Sequence, residues 1–165
     1  MLENKFIKKY INKKTKYGYY FIKNNIIYIT KSGFKIYFKN KFNININKQP
    51  DEAFVTILDN ICYIKILEKK NQNVEGTVED KLKTGNFNKR EYEKIFEKES
   101  IINKLPYKFI ISYAFCINTF LHKKMQSEQL KYIIMKEIML EDDITLFYGE
   151  DENYFNALFE WINKN

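Results

Sequence analysis

The segment that most constrains the fold of this chain is residues 49–72, where two runs rich in β-branched and aromatic residues flank Asp59-Asn60. Such runs on either side of a two-residue polar connection predict a β-hairpin. Counting outward from this turn places Asp51 directly opposite Glu68. Directly opposed residues share a sheet face, with Cβ atoms about 4.5–5.5 Å apart. The hairpin is therefore predicted to bring two carboxylates together at its open end.

The same end of the hairpin carries two more polar side chains. Lys70 and Gln72 lie on the same predicted face as Glu68, because side chains alternate along a strand. Two like charges directly opposite each other destabilise a sheet. A divalent cation between them reverses that effect, since hard oxygen ligands suit Mg²⁺. The alternative is a solvated strand end at which Lys70 neutralises one carboxylate, and the pattern by itself leaves both interpretations open.

The composition predicts a single folded domain over residues 1–165. A hydrophobic content of 45%, with 17% aromatic residues, excludes a disordered chain of this length. No apolar run approaches the roughly 18 residues of a membrane span, and the first residues lack a signal-peptide core. Cys62 and Cys116 both lie in apolar runs, so we predict buried free thiols and an intracellular location.

Positive charge is concentrated in the first third of the chain. The net charge is +7, yet residues 4–50 contain twelve lysines and no acidic residue, so the remainder is net −5. A bias toward A/T-rich codons would raise lysine everywhere, but it would not spare one segment of acids. We therefore interpret the lysine-rich segment 4–50 as a footprint for a phosphate backbone, with an ordinary solvated surface as the alternative.

Hydrophobic periodicity and turn residues predict an α/β fold, in which helices flank a central mixed β-sheet that is antiparallel at its start. The predicted elements along the chain are a helix at 2–13, strands at 19–29 and 34–46, the hairpin, helices at 77–85 and 89–99, a strand at 109–115, a helix at 126–140, a strand at 144–148 and a helix at 151–163. Thr77 is the predicted N-cap of the first helix after the hairpin. The helix at 126–140 is predicted to bury Leu130, Ile133, Ile134, Ile138 and Met139.

The open end of the hairpin resembles the PD-(D/E)XK motif of restriction-endonuclease-like nucleases. The matching residues are Pro50-Asp51, a spacer, and Glu68-Lys69-Lys70. Glu-X-Lys occurs twice more in the chain, but only this copy ends a long apolar strand with a Pro-Asp opposite it. The close resemblance is confined to residues 49–82, and it implies a restriction-endonuclease-like fold.

The resemblance also implies a role for each matching residue. Asp51 and Glu68 would bind Mg²⁺, for which Mn²⁺ can substitute, with the main-chain carbonyl of Lys69 as an extra ligand. Lys70 would orient or help deprotonate the attacking water and stabilise the transition state. Gln72, which extends the motif to Glu-X-Lys-X-Gln, would position the water or nearby backbone. The chemistry needs a metal that activates water and a fixed positive charge where negative charge develops.

The function that this resemblance implies is a Mg²⁺-dependent endonuclease that hydrolyses DNA phosphodiester bonds. Duplex DNA is the expected substrate, type II restriction is one expected activity, and a homodimer is expected because a symmetric duplex cutter needs two sites. His122 is the only histidine, which argues against histidine-based metal clusters and a Ser-His-Asp triad. The alternatives are a junction or repair nuclease, a non-catalytic nucleic-acid-binding module of the same fold, and a small protein-interaction domain.

Overall fold

The structure is a computed structural model that describes residues 11–14, 18–22, 25–73 and 78–164. The chain forms two compact units, the first within residues 1–66 and 92–111 and the second within residues 67–91 and 112–165. The fold class is α/β, with a mixed β-sheet flanked by helices, which confirms that part of the prediction. The restriction-endonuclease-like classification and the single domain over 1–165 stay predictions.

The first unit contains antiparallel strands. They are β1 (Ile11–Lys14), β2 (Tyr19–Ile22), β3 (Ile26–Thr30), β4 (Glu52–Leu58) and the first residues of β5 (Ile61–Lys70). β3 pairs with β4 so that Tyr28 faces Phe54 and Thr30 faces Glu52. β4 begins at Glu52, so Asp51 lies immediately before the strand.

Two turns set the strand boundaries in the first unit. Asn25 precedes β3 with φ 58°, and Asp59 begins the turn between β4 and β5 with φ 51°. Short polar side chains adopt this left-handed conformation more readily than other L-residues do. The hairpin predicted around Asp59-Asn60 is confirmed. The single strand predicted at 19–29 is instead two strands, β2 and β3, and β3 ends one residue later, at Thr30.

Helix α1 (Lys31–Phe42) shows that the strand predicted at 34–46 is wrong. The aromatic content of this segment favours a strand, but its buried residues recur at helical spacing. They are Gly33, Phe34, Tyr37, Phe38 and Phe42. The helix ends at Asn43, which adopts φ 56° and donates its backbone N–H to the carbonyl of Lys39.

Aromatic rings form much of the core of the first unit. Phe38 is fully buried, and its ring centroid lies 4.9 Å from that of Phe34 and 4.7 Å from that of Phe96. Phe96 in turn stacks on Phe109 at 5.1 Å. Tilted and edge-on aromatic pairs of this kind add to the free energy of burial, so they fix α1 within its unit.

The helix predicted at 2–13 lies mostly outside the described residues. Its last part is described, and there Ile11–Lys14 form strand β1, so the prediction is wrong for residues 11–13. Ile11 pairs with Ile22 of β2. Backbone pairing with β2 therefore outweighs the helical spacing of the apolar residues at this position.

The second unit contains a parallel strand pair and several helices. β6 (Lys108–Ile117) contributes its last residues, and Phe115 faces Leu146 of β7 (Ile144–Tyr148). The helices are α2 (Val78–Lys83), α3 (Gly85–Ile102), α4 (Thr119–Met125), α5 (Leu130–Glu141) and α6 (Tyr154–Asn163). The chain of β5 enters this unit at Leu67, and that of α3 leaves it at Glu91.

Most elements of the second unit agree with the prediction, and the differences have local causes. α2 ends at Lys83, and Gly85 begins α3 instead of ending α2. A Cβ at Gly85 would lie 2.8 Å from the Phe115 ring, so glycine is needed for close packing there. α4 was not predicted, and Asn118 caps it by accepting a hydrogen bond from the Leu121 N–H. The predicted cap Thr77 lies outside the described residues.

The predicted buried face of α5 is wrong. Of the predicted residues only Met139 is buried, together with Tyr132 and Met135. The other four are exposed: Leu130 by 69%, Ile133 by 37%, Ile134 by 43% and Ile138 by 47%. α5 is apolar on most of its circumference, and hydrophobic spacing alone cannot distinguish two apolar faces.

No helix of the described part of the chain is both long and apolar enough to cross a membrane.

Candidate active site

Asp51 lies in the first unit, immediately before β4. Its carboxylate is partly exposed and forms an ion pair with the Lys31 ammonium, with Nζ 3.7 Å from Oδ1. The Lys31 side chain is 64% exposed, so this pair contributes little to stability. Asp51 is therefore a partly exposed carboxylate next to an exposed lysine.

Glu52, the next residue, was not singled out from the sequence. It is buried, and its Oε1 accepts a 2.7 Å hydrogen bond from the Tyr28 hydroxyl. Burial raises the pKa of Glu52 to about 7, while the Tyr28 hydrogen bond lowers it and the nearby charge of Asp51 raises it further. The sequence signal was the alternation itself, which places Glu52 on the opposite face from Asp51.

Glu68 and Lys70 are in direct contact near the end of β5, in the second unit. The Lys70 ammonium lies 3.0 Å from the Glu68 carboxylate, and the side chains are 18% and 15% exposed. The Lys70 nitrogen also lies 5.8 Å from the centroid of the Phe115 ring. The structure thus confirms that these side chains share a face, and it has the neutralising ion pair that the alternative interpretation described.

Lys69 lies between them in sequence, and its side chain is partly buried. Burial lowers the pKa of this amine to about 8. Because side chains alternate along β5, the Lys69 side chain is on the other face from Glu68 and Lys70. Only its main-chain carbonyl was predicted to bind metal, and that role stays a prediction.

Gln72 follows β5 and is buried. Its backbone is fixed by Asn118, whose Nδ2 donates to the Gln72 carbonyl at 2.8 Å and whose Oδ1 accepts from the Gln72 N–H at 3.4 Å. The same Asn118 oxygen caps α4. Asn118 therefore positions Gln72, the last residue of the Glu-X-Lys-X-Gln segment. The two residues are far apart in sequence, so no local pattern indicated this contact.

The structure brings some of the predicted site residues together. Glu68 and Lys70 form an ion pair. Gln72 lies two residues after Lys70 in the chain, and Asn118 holds its backbone. Asp51 belongs to the first unit and the others to the second. The pairing of Asp51 with Glu68 stays a prediction from the hairpin register.

Among the described residues, no group of three or more His, Cys, Asp or Glu side chains is arranged to hold a metal ion. The predicted Mg²⁺ ligands are two carboxylates and one main-chain carbonyl, a set with fewer side chains than such a group. Carboxylate and carbonyl oxygens are the donors that Mg²⁺ prefers. The donor types fit the ion, and Mg²⁺ binding stays a prediction.

In the second unit, three side-chain donors surround the carboxylate of Glu79. Its oxygens accept hydrogen bonds from Tyr132 at 2.7 Å, Lys124 at 3.1 Å and Lys131 at 3.2 Å. The Tyr132 hydrogen bond is the largest cause of the shift, and burial, the next largest, opposes it. The hydrogen bonds of Lys124 and Lys131 add to the lowering, so that the pKa of Glu79 falls to about 2. Its oxygens are engaged by protein donors, which is the arrangement of a structural carboxylate.

The exposed face of α1 is basic. Lys31, Lys35 and Lys39 are spaced four residues apart, so they follow one face of the helix, and all three are exposed. α1 contains no acidic residue. This row of ammonium groups belongs to the lysine-rich segment 4–50 that was predicted to contact a phosphate backbone.

No family model matches the chain, and searches of curated proteins and of solved structures also find no match.

Proposed function

We propose that this chain is a Mg²⁺-dependent endonuclease of the restriction-endonuclease-like class that hydrolyses phosphodiester bonds in DNA, with duplex DNA as its substrate. The observation that supports it best is the Glu68–Lys70 contact at 3.0 Å near the end of a long buried strand. A carboxylate and an amine held together in a partly buried position are the two charges that metal-assisted phosphodiester hydrolysis requires.

The chain's own residues have distinct roles in this proposal. Asp51, Glu68 and the main-chain carbonyl of Lys69 would hold Mg²⁺, which when bound polarises the phosphate and supplies an activated water. Lys70 keeps a positive charge where negative charge develops on the phosphate oxygens. Gln72, fixed by Asn118, positions the water or the backbone beside it.

The basic face of α1 supports DNA as the substrate. Lys31, Lys35 and Lys39 present a row of charges to solvent, and lysines that neutralise phosphates bind DNA without regard to sequence. In this proposal α1 contacts the DNA backbone, and the motif residues perform the cleavage.

The test is cleavage of supercoiled plasmid by Glu68→Gln and Lys70→Met variants, with Mg²⁺ and with EDTA. Each variant should cut at least about 100-fold more slowly, since electrostatic groups of this kind contribute 10²–10³ in rate. The matched control is Asp80→Asn with Lys83→Met, which removes an ion pair of 2.9 Å that lies outside the motif. Undiminished cleavage by the Lys70→Met variant would remove the assignment, as would cleavage that persists in EDTA.

A second candidate is a non-catalytic nucleic-acid-binding module. The observation that favours it is that Lys70 already neutralises Glu68, so the motif has a structural use that needs no metal. This candidate predicts salt-sensitive DNA binding with no strand cleavage in any metal. Binding measured in Ca²⁺ at several salt concentrations separates the two functions. Replacing Lys35 and Lys39 by Met should lower the salt slope by about 0.9 for each phosphate that the variant no longer neutralises.

A further inference from the structure

Strand β7 has one open edge and lacks the features that usually protect such an edge. It pairs with β6 on one side, and no other described strand pairs with its other side. Lysine, proline and bulges normally block an open edge, because its unpaired backbone groups can bind another chain. The sequence of β7, Ile-Thr-Leu-Phe-Tyr, has no charged residue and no proline, and its register with β6 is regular. The edge is therefore a candidate surface for pairing with a further strand.

The hydrogen bonds next to β7 show which of its backbone groups point outward. The Gly149 N–H, just after the strand, donates to the Ile117 carbonyl of β6 at 2.9 Å. Backbone groups alternate in direction along a strand, so every second residue back from Gly149 faces β6. The N–H and C=O groups of Ile144 and Leu146 therefore point away from β6. The Tyr148 carbonyl also points outward, and it accepts from the following turn at 3.2 Å. The first part of the edge is thus the part that another chain can reach.

Two cavities lie along β7, and Leu146 lines both of them. The first, of about 430 Å³, is bounded by residues 144–146 and by α5, including Leu140, which is 81% exposed. The second, of about 260 Å³, is bounded by residues 146–148 and by Tyr154 of α6. Side chains of an added strand alternate between the two sheet faces. They would meet apolar surface from both helices, and such pockets give strand addition its specificity.

Both ends of β7 are acidic. Residues 141–143 precede the strand and residues 150–152 follow it, and every residue of the two triplets is acidic. Five of these six side chains belong to exposed residues. The longer segment 137–163 contains eight acidic residues and no basic one, in a chain of net charge +7. A strand of five residues is about 17 Å long, so the negative charges are separated by the length of β7.

Lysines near this surface do not cancel its charge. Lys136 lines the first cavity. The Lys89 ammonium lies 3.5 Å from the Asp143 carboxylate, whose side chain is still 86% exposed. The six acidic residues outnumber these lysines, and the triplet at 150–152 lies at the other end of the strand. The surface therefore stays net negative.

We propose that the open edge of β7 binds an extended basic polypeptide, which adds to the sheet as a further strand and places lysine or arginine residues against the two acidic ends. Charge complementarity favours this occupant, and it disfavours DNA. It also disfavours a second copy of this chain, because pairing β7 with β7 in either direction brings acidic ends together. The partner segment has β-branched or apolar residues between its basic ends, since these suit an added strand.

The test measures binding of a fluorescent peptide in which alternating valine and threonine residues are flanked by pairs of lysines. Fluorescence anisotropy at low salt should show that the wild-type chain binds it. A version with glutamates in place of the lysines should bind at least about 10-fold more weakly. No binding at about 1 mM basic peptide, the weak end of the affinity range, overturns the proposal. Equal binding of the acidic peptide does so too.

Backbone pairing is tested by methylation of the peptide nitrogens. Two versions of the basic peptide carry N-methyl groups at the odd or at the even positions of the central run. Only every second N–H of an added strand faces β7. One version should therefore bind at least about 10-fold more weakly, and the other should keep the affinity of the unmodified peptide. Equal affinities of the two versions would show that the peptide does not pair with the strand, which overturns the proposal.

Variants of the protein locate the binding surface. Glu150→Gln with Glu152→Gln should weaken binding of the basic peptide about 5-fold, since exposed charge pairs each contribute modestly. The matched control is Glu93→Gln with Glu97→Gln, which removes two exposed glutamates of α3 in the first unit and should leave the affinity unchanged. Leu146→Pro removes an outward N–H where an edge strand tolerates proline. It should prevent binding, with circular dichroism confirming the fold. Equal losses in the two glutamate variants would contradict the proposal.

This inference does not rest on the proposed function, because its readout is peptide binding and not cleavage. A second copy of the chain is the rival occupant of the edge, and sedimentation equilibrium without peptide detects it. We expect no self-association through β7. A dimer that Leu146→Pro dissociates would assign the edge to self-association and overturn the proposal.

Discussion

Glu52 in the first unit and Glu79 in the second each accept a hydrogen bond from a tyrosine hydroxyl, yet their pKa values shift in opposite directions. A tyrosine hydroxyl donates to each carboxylate at 2.7 Å, from Tyr28 and from Tyr132. Yet the pKa of Glu52 is raised to about 7 by burial, whereas that of Glu79 is lowered to about 2. One tyrosine is therefore not enough to decide the charge of a carboxyl group.

The difference lies in what else surrounds each carboxylate. Glu79 accepts hydrogen bonds from two ammonium groups in addition to Tyr132, and its side chain remains 16% exposed. Glu52 is 5% exposed, and the neighbouring charge of Asp51 adds to the effect of burial. Burial disfavours a charged group unless donors of opposite charge compensate for the lost hydration. Glu79, which accepts hydrogen bonds from two lysines, therefore stays ionised at neutral pH. Glu52, which is buried beside Asp51, changes its charge near pH 7.

The largest effect is expected for Glu79→Gln. At pH 7 it should lower the free energy of unfolding by about 3 kcal/mol, because it removes the Glu79 carboxylate from Lys124, which is only 19% exposed. Since the folded pKa is about 2 and the ordinary value is 4.5, the stabilisation is complete above about pH 4.5 and is lost as the pH falls toward 2. Urea unfolding between pH 2.5 and pH 7 measures both.

Asp80→Asn is the control for this variant. Its carboxylate lies on the same helix and forms an ion pair of 2.9 Å, but the side chain is 70% exposed. Exposed pairs contribute less than about 1 kcal/mol, so the control should change little. Equal losses in the two variants would contradict the structural role assigned to Glu79.

The sequence predicted the features that depend on neighbouring residues, and it missed features that depend on contacts between distant residues. The hairpin was predictable because turn residues and both strands are contiguous, and the shared face of Glu68 and Lys70 follows from alternation. The helix α1 was missed because Phe34 and Phe38 satisfy both a strand composition and a helical spacing. The Asn118–Gln72 contact joins residues far apart in sequence, so no local pattern reports it.

The direction in which α5 faces the core shows a second limit. Ile133 and Ile134 are as apolar as Met135, and nothing in the local sequence explains why the methionine side packs inward. Tyr132 on the inward face donates to Glu79 of α2, and α5 also packs against β7 and α4. These contacts join separate elements, and periodicity does not report them.

The opposite sign of effect is expected for Glu52→Gln. Glutamine keeps an acceptor for Tyr28 but carries no charge, so at pH 8 the variant should be more stable than the wild type by about 2 kcal/mol. The folded pKa of Glu52, about 7, is above the ordinary 4.5. Its contribution to stability is therefore complete below about pH 4.5 and is lost as the pH rises to 7. Unfolding curves of the variant and the wild type should coincide at pH 4.

Glu97→Gln provides the comparison in the same unit, because Glu97 is an exposed carboxylate paired with Lys94. It should not stabilise the chain at pH 8. A Glu52→Gln variant that is less stable than the wild type at pH 8 would mean that the charged carboxylate is favoured in the fold. The contrast between the two glutamates would then disappear.

The smallest effect concerns the tyrosines themselves. At pH 5.5 Glu79 is ionised and Glu52 is largely protonated, given their pKa values of about 2 and about 7. Hydrogen bonds to charged groups contribute about 1.5–3 kcal/mol and those between neutral groups about 0.5–1.5 kcal/mol. Tyr132→Phe should therefore cost about 1 kcal/mol more than Tyr28→Phe. Both hydroxyls belong to buried tyrosines, so the phenyl ring that remains fills the same space in each.

The same two variants should move the carboxyl pKa values in one direction, which NMR titration of the glutamate side chains measures. Each hydrogen bond lowers the pKa of its acceptor, so removal of either hydroxyl should raise it. In Tyr132→Phe the lysines remain, and the pKa of Glu79 should stay below 4.5. A Glu79 that returns to its ordinary value on loss of Tyr132 alone would show that the tyrosine, and not the ammonium groups, sets the charge. The comparison between Glu52 and Glu79 would then depend on their tyrosine hydrogen bonds and not on the neighbouring ammonium groups.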